Sequence, residues 1–285
     1  MGSNPTLSAK AIMKKLKKIE RFFDYYLKKF FEYPLKELKD QIVEEKLNQK
    51  IPSNVYQTWE NNFFGKSHYN EIIKFRKLNK NLSFILFNKE KRDQYMFDYW
   101  SHHEIYKIYK SAKLGVMQAD IFRFCILNER GGYYFDISKG CKIPLDQLHT
   151  EDKEVLISNE PVECVIPPDK KIFDKLLHPH LFFHSWGMAF IKNHPITSKM
   201  IEKIVEDYPF YVDKVFEKPK TAVLSLTATG QFTKIVREYF LENEVNSVEQ
   251  SGIFFNGHGI FSMKGCRVRH HQVRPYADLR DERVF

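Results

Sequence analysis

The sequence predicts an α/β fold, and three observations carry that expectation. Between Val55 and Phe87 a strand pattern, a helical pattern and a second strand pattern follow one another, the alternation from which α/β sheets are built. From Leu114 to Leu127 the periodicity is helical, Gly131-Gly132 ends it, and Tyr133-Tyr134-Phe135-Asp136-Ile137 leaves as a strand. The 285 residues are 43% hydrophobic and 15% aromatic, enough to bury one sizeable core and too much for a disordered chain.

Two regions are expected, residues 1–50 as a basic helical extension and 51–285 as the folded domain. In the first, Ile12, Leu16, Ile19, Phe23, Tyr26 and Phe30 recur at steps of four and three, which places them on one helical face. Between Lys10 and Lys29 stand seven Lys, one Arg, one Glu and one Asp, a net charge of +6 beside that apolar stripe. Such a helix over residues 10–31 suits an anionic membrane surface; packing on the domain or on a second copy fits the pattern equally. Pro34 breaks it, and a second, more acidic helix is expected from Leu35 to Leu47.

In the domain, Ile51-Pro52-Ser53-Asn54 reads as a loop and Val55-Tyr56-Gln57-Thr58-Trp59 as a strand. A helix from Tyr69 to Leu78 and a strand from Leu82 to Phe87 follow, then two helical stretches around Lys91 to Lys110. The second half supplies strands at Val155 to Ile157 and Met188 to Ile191. It also supplies helices at Pro195 to Tyr208, opened by Asn193-His194-Pro195, and at Phe232 to Leu241. Leu181 to Trp186 reads as a buried strand, with Trp186 able to stack on a sugar.

Composition narrows the function. Lys and Arg outnumber Asp and Glu by 45 to 36, a net charge of +9 that favours anionic partners. That excess sits largely on the first helix and no nucleic-acid motif accompanies it, so nucleic acid is not expected as a partner. No run of about 18 apolar residues would span a membrane. Cys125, Cys141, Cys164 and Cys266 match neither a zinc pattern nor a disulfide framework. A cytoplasmic protein, peripheral at the inner face of the membrane, is the expectation.

The chemistry concentrates between Gln118 and Ser138. Asp120 and Arg123, three apart on a helix, project to one side, which alone is an ordinary helical ion pair. Gly131-Gly132 then turns the chain into a strand that ends at Asp136, and the carboxyl ends of strands are where open α/β sheets bind ligands. Two carboxylates and a guanidinium at such a place can hold sugar hydroxyls or a cation.

The string Ala119-Asp120-Ile121-Phe122-Arg123-Phe124, with Leu127 and Gly131-Gly132-Tyr133-Tyr134-Phe135-Asp136, resembles the core of the DXD-containing glycosyltransferases of family 32. These are relatives of yeast mannosyltransferases and clostridial glucosylating toxins. Ile51 to Trp59, His194-Pro195, Thr229-Gly230 and His270-His271 are similar to flanking elements of that family. The resemblance implies a GT-A fold, Rossmann-like, and retaining transfer of a hexose or N-acetylhexosamine from a nucleoside diphosphate sugar, a UDP-sugar in first place. The acceptor would be a glycan or lipid-linked glycan; the Lys-, Asn-, Phe- and Ile-rich usage together with the basic N-terminal helix suggests bacterial surface polysaccharide or lipopolysaccharide synthesis. Carried over by position, Trp59 would stack on the base with Val55 and Gln57 lining that pocket. Asp120 and Arg123 would hold the donor sugar, Asp136 the sugar-ribose side of the nucleotide, and Gly230, His270 and His271 would close over the donor.

One position departs from the family. Its second Asp is Ser138 here, and a neutral hydroxyl is a poorer ligand for Mn²⁺ or Mg²⁺ than a carboxylate. Asp136, Ser138, His270 and the donor's phosphates remain as a cation site. Lys139, Arg267, Arg269 and Arg274 offer a cation-free way to neutralise the departing diphosphate. The lost Asp also leaves open a nucleotide-sugar-binding protein without transferase activity.

Overall fold

A computed structural model describes residues 30–45, 47–271 and 275–285. The helical stripe from Ile12 to Tyr26 lies outside these residues. The central sheet has seven strands: β1 (Asn54–Thr58), β2 (Ser83–Phe87), β3 (Gly132–Phe135), β4 (Val155–Glu163), β5 (Leu181–Phe183), β6 (Gly187–Phe190) and β7 (Val248–Ile253). Their order is β7-β4-β6-β3-β1-β2, with β5 beside β4. The strands β3, β1 and β2 run parallel, as do β7 and β4, while β6 enters antiparallel between β3 and β4.

Side-chain alternation along the strands builds two cores, one on each sheet face. Tyr56, Tyr134, Val155, Ile157, Met188 and Phe190 face helices α2 (Lys89–Trp100), α3 (Glu104–Ser111), α4 (Gly115–Arg130), α5 (Pro195–Asp207), α6 (Pro219–Leu226) and α7 (Thr229–Glu242). Val55, Phe84, Leu86, Tyr133, Phe135, Leu156 and Ala189 face the other way, onto Ile72 and Phe75 of α1 (Lys66–Leu78). This is the expected α/β sandwich, and the strands and helices read from the sequence stand within a few residues of their places. Among the longer elements, α6 and the edge strand β7 escaped that reading, as did several two-residue strands.

The helix expected from Leu35 to Leu47 is not formed. Lys36–Glu37 pairs with Phe63–Phe64, and Gln41 bridges Phe84 through N···O contacts of 2.9 and 2.7 Å. Asp40 accepts from Leu86 N at 2.7 Å. The outer side of β2 would otherwise present unpaired backbone groups, and this segment satisfies them. That long-range demand outweighs the local helical periodicity.

The turn between α4 and β3 fixes the site. Gly131 and Gly132 have φ of 64° and 103°, and a Cβ on either would come within 2.6 Å of Lys192 N or Asn54 O. Only glycine lets α4 fold back this closely onto the sheet.

Candidate active site

Helix α4 is buried almost all round; Ile121, Phe122 and Phe124 to Leu127 are 0% exposed. Its polar pair therefore sits inside the protein rather than on a solvated face. Asp120 and Arg123 are 2% and 4% exposed, and their ion pair measures 3.0 Å. Arg123 Nη2 also reaches Asp136 Oδ1 at 2.8 Å, and its Nη1 donates to Ser185 Oγ at 2.8 Å. Tyr134 supports the cluster twice, with its ring 4.6 Å from the guanidinium carbon and its hydroxyl donating to Asp136 Oδ1 at 3.1 Å. Thr227, just after α6, donates to Asp120 Oδ2 at 3.1 Å.

One guanidinium thus lies between two carboxylates at the floor of a cleft of roughly 930 Å³. The cleft opens where β1, β3 and β4 present their carboxyl ends, and Trp59, Asp120, Arg123, Asp136, Ser138 and Gly230 all line it. Burial pushes the Asp120 carboxyl up to about 7 despite Arg123; Asp136 adds to the rise and Thr227 opposes it. Burial works against the Arg123 charge, yet Tyr134 and the two carboxylates hold it protonated.

A carboxylate accepts hydrogen bonds from hydroxyls best when ionised. A hydroxyl-bearing ligand at Asp120 is therefore expected to bind more tightly as pH rises through about 7, and Asp120→Asn to flatten that profile. The stability sign is opposite. The folded state holds this proton more tightly than the unfolded chain, so the group's stabilising contribution is present below the ordinary carboxylate range and lost as pH rises through about 7.

Trp59 stands just past β1 at the cleft wall, its N–H bonded to Phe87 O at 3.1 Å. Beneath it the buried Arg92 binds Thr58 Oγ1 at 3.0 Å and Tyr109 OH at 3.1 Å and faces Glu60 at 3.6 Å. Val55 and Gln57 do not join Trp59 in the cleft. Val55 is in the core and Gln57 is buried against Arg76 at 3.4 Å, because only the end of β1 opens to the site. His270 and His271 belong to the short helix Cys266–His271, and their side chains lie outside the described set.

Two described side chains, Asp136 and Ser138, are the candidate donors for a divalent cation. Asp136 is one-third exposed, but its Oδ1 already serves Arg123 and Tyr134. Ser138 is 5% exposed and offers only a hydroxyl. Among the described residues no group of three His, Cys, Asp or Glu comes together. These donors alone do not fit a hard cation, which prefers several charged oxygens.

Several site residues were not nominated from the sequence: Ser185, Thr227, Glu60, Arg92 and Glu160. They come from segments far apart in the chain, and only Glu160 carried a signal, an acid near the carboxyl end of a strand.

Residues 65–155 match the family model described as a glycosyltransferase sugar-binding region containing the DXD motif. The initiation-specific alpha-1,6-mannosyltransferase of Candida albicans is 23% identical over 219 residues, 72% of this chain and 56% of that protein. Inositol phosphoceramide mannosyltransferase 1 of Schizosaccharomyces pombe is 28% identical over 117 residues, 40% of this chain and 36% of that protein. The chain thus spans about half the length, or less, of these curated relatives. A solved structure titled PaToxG Glycosyltransferase aligns over 82% of this chain and 80% of its own, with 17% identity and a TM-score of 0.48.

Residues 65–155 thus resemble the sugar-binding region of DXD-type glycosyltransferases, with Asp136-Ile137-Ser138 where that region has its two acids. No described helix is long and apolar enough to cross a membrane.

Proposed function

We propose that the protein is a retaining hexosyltransferase that moves a sugar from a nucleoside diphosphate donor to a glycan or lipid-linked glycan. The observation that carries this reading is the cluster of buried Asp120 and Arg123 with the partly exposed Asp136 on the floor of a cleft large enough for a nucleotide sugar. Asp120 accepts hydroxyls of the donor sugar, Arg123 fixes both carboxylates, and Asp136 meets the nucleotide side of the donor. Trp59 offers its ring to the base.

The anomeric carbon loses its bond to the leaving phosphate while the acceptor hydroxyl approaches from the same face. The hydroxyl proton passes to the departing phosphate oxygen. The floor carries one cation and two acids, so positive charge developing on the sugar faces a net negative surface. A UDP-sugar is our first donor and bacterial surface polysaccharide our first acceptor class. Because the relatives are named as mannosyltransferases, GDP-mannose stands beside UDP-sugars in the test. The basic segment 10–31 would hold the enzyme at an anionic membrane.

Thermal stabilisation against UDP-, GDP- and CMP-sugars tests the reading, since a ligand that binds only the folded state raises Tm. One donor class is expected to stabilise the wild type strongly. Ser138→Asp is expected to make that stabilisation more responsive to Mn²⁺, because it restores a second carboxylate beside Asp136. No shift with any donor contradicts the reading.

A further inference from the structure

The donor reading uses one end of the cleft and leaves the other unassigned. Of the acids that line it, Asp120 and Asp136 are committed to Arg123, Glu60 faces Arg92, and Glu282 has a partner of its own. Glu160, on β4, is different. Among the described residues no hydrogen bond or ion pair engages its half-buried carboxylate. Burial raises its pKa, and Lys139 and Lys220 oppose the rise, so both cations are within electrostatic reach.

Lys139 connects Glu160 to an aromatic wall. Its ammonium lies 3.2 Å from the ring centre of Phe261 and 5.3 Å from that of Trp186. Trp186, 6% exposed, borders the cleft edge-on to Phe261, their centroids 6.3 Å apart, and Phe261 is 51% exposed. Below, Trp186 stacks on His184 at 3.9 Å, which fixes the plane of the indole. Tyr276, from the C-terminal segment, lines the same cleft as Glu160, Phe261 and the Asp120–Arg123–Asp136 cluster, so this wall and the donor cluster border one space.

A pyranose has an apolar C–H face and a rim of hydroxyls, and an aromatic ring beside a carboxylate matches both. We propose that Glu160, with the exposed ring of Phe261 backed by the buried Trp186, forms the acceptor subsite and binds a neutral pyranose through its hydroxyls. This rests on the transferase reading above. Glu160 holds a hydroxyl next to the attacking one and takes no proton itself. The bond formed is acceptor oxygen to anomeric carbon, the bond broken is anomeric carbon to phosphate oxygen, and the attacking hydroxyl's proton leaves with the nucleoside diphosphate. Glu160 therefore decides whether a sugar or water takes the glycosyl group.

The test supplies UDP-glucose, UDP-N-acetylglucosamine and GDP-mannose in turn, with methyl α-mannopyranoside or methyl α-glucopyranoside as acceptor. Chromatography separates new glycoside from free sugar. The wild type is expected to form glycoside with one donor. In Glu160→Ala the ratio of glycoside to free sugar falls about tenfold or more, the effect of losing a hydrogen bond to a charged group. Glu160→Gln, which keeps one accepting oxygen, lies between them. Donor-induced thermal stabilisation like that of the wild type shows that the alanine variant is folded with its donor site intact. An unchanged ratio in Glu160→Ala overturns the proposal, as does a wild type that consumes donor without forming glycoside. A wild type that neither binds nor consumes any donor overturns the transferase reading itself.

Discussion

Arg123→Ala is expected to reduce nucleoside diphosphate release roughly a thousandfold, at the upper end of what one preorganised charged group contributes. Its loss also leaves Asp120, 2% exposed, beside Asp136 with no cation between them. Removing one partner of a buried pair costs about 3 to 5 kcal/mol, so Tm should fall clearly as well. Arg123→Lys should rescue part of the stability and little of the activity. A lysine returns a charge, but its single ammonium cannot reach Ser185 with one nitrogen and both carboxylates with another. Melting curves and product release, measured on the same preparations, separate the two effects.

Trp59→Ala is expected to raise the donor KM by roughly 10- to 100-fold with a much smaller change in kcat. Stacking of a base on an aromatic ring is worth about 1–3 kcal/mol by alanine substitution, and that interaction is equal in ground and transition states, so it appears in KM. The backbone on either side of Trp59 is held by Phe87, Lys89 and the Arg92 network, so the substitution should leave the wall in place. An equal fall in kcat with unchanged KM would place Trp59 at the reacting centre instead.

Most of the fold was legible because its strands and helices advertise themselves locally. Gly131-Gly132 marked the return from α4 to β3, and the positive φ values at both positions give the reason. Asp120, Arg123 and Asp136 were legible from spacing and resemblance, and the structure brings them together. What local patterns could not show was who else arrives. Ser185 and Thr227 reach the cluster from 62 and 107 residues away along the chain. The same blindness explains the segment after Pro34, whose periodicity suits a helix while the exposed side of β2 requires an extended partner. Val55 and Gln57 fell on the same strand face as Trp59, but burial along β1 reserves the cleft for its last residues.

The most direct test of the central claim is nucleoside diphosphate release from a donor panel by wild type and Arg123→Ala in the presence of glycan acceptors. Acceptor-stimulated release from one donor class by the wild type, and its near-complete loss in the variant, is the expected result. Donor binding by the wild type without any release would contradict it and mark the chain as a nucleotide-sugar-binding protein.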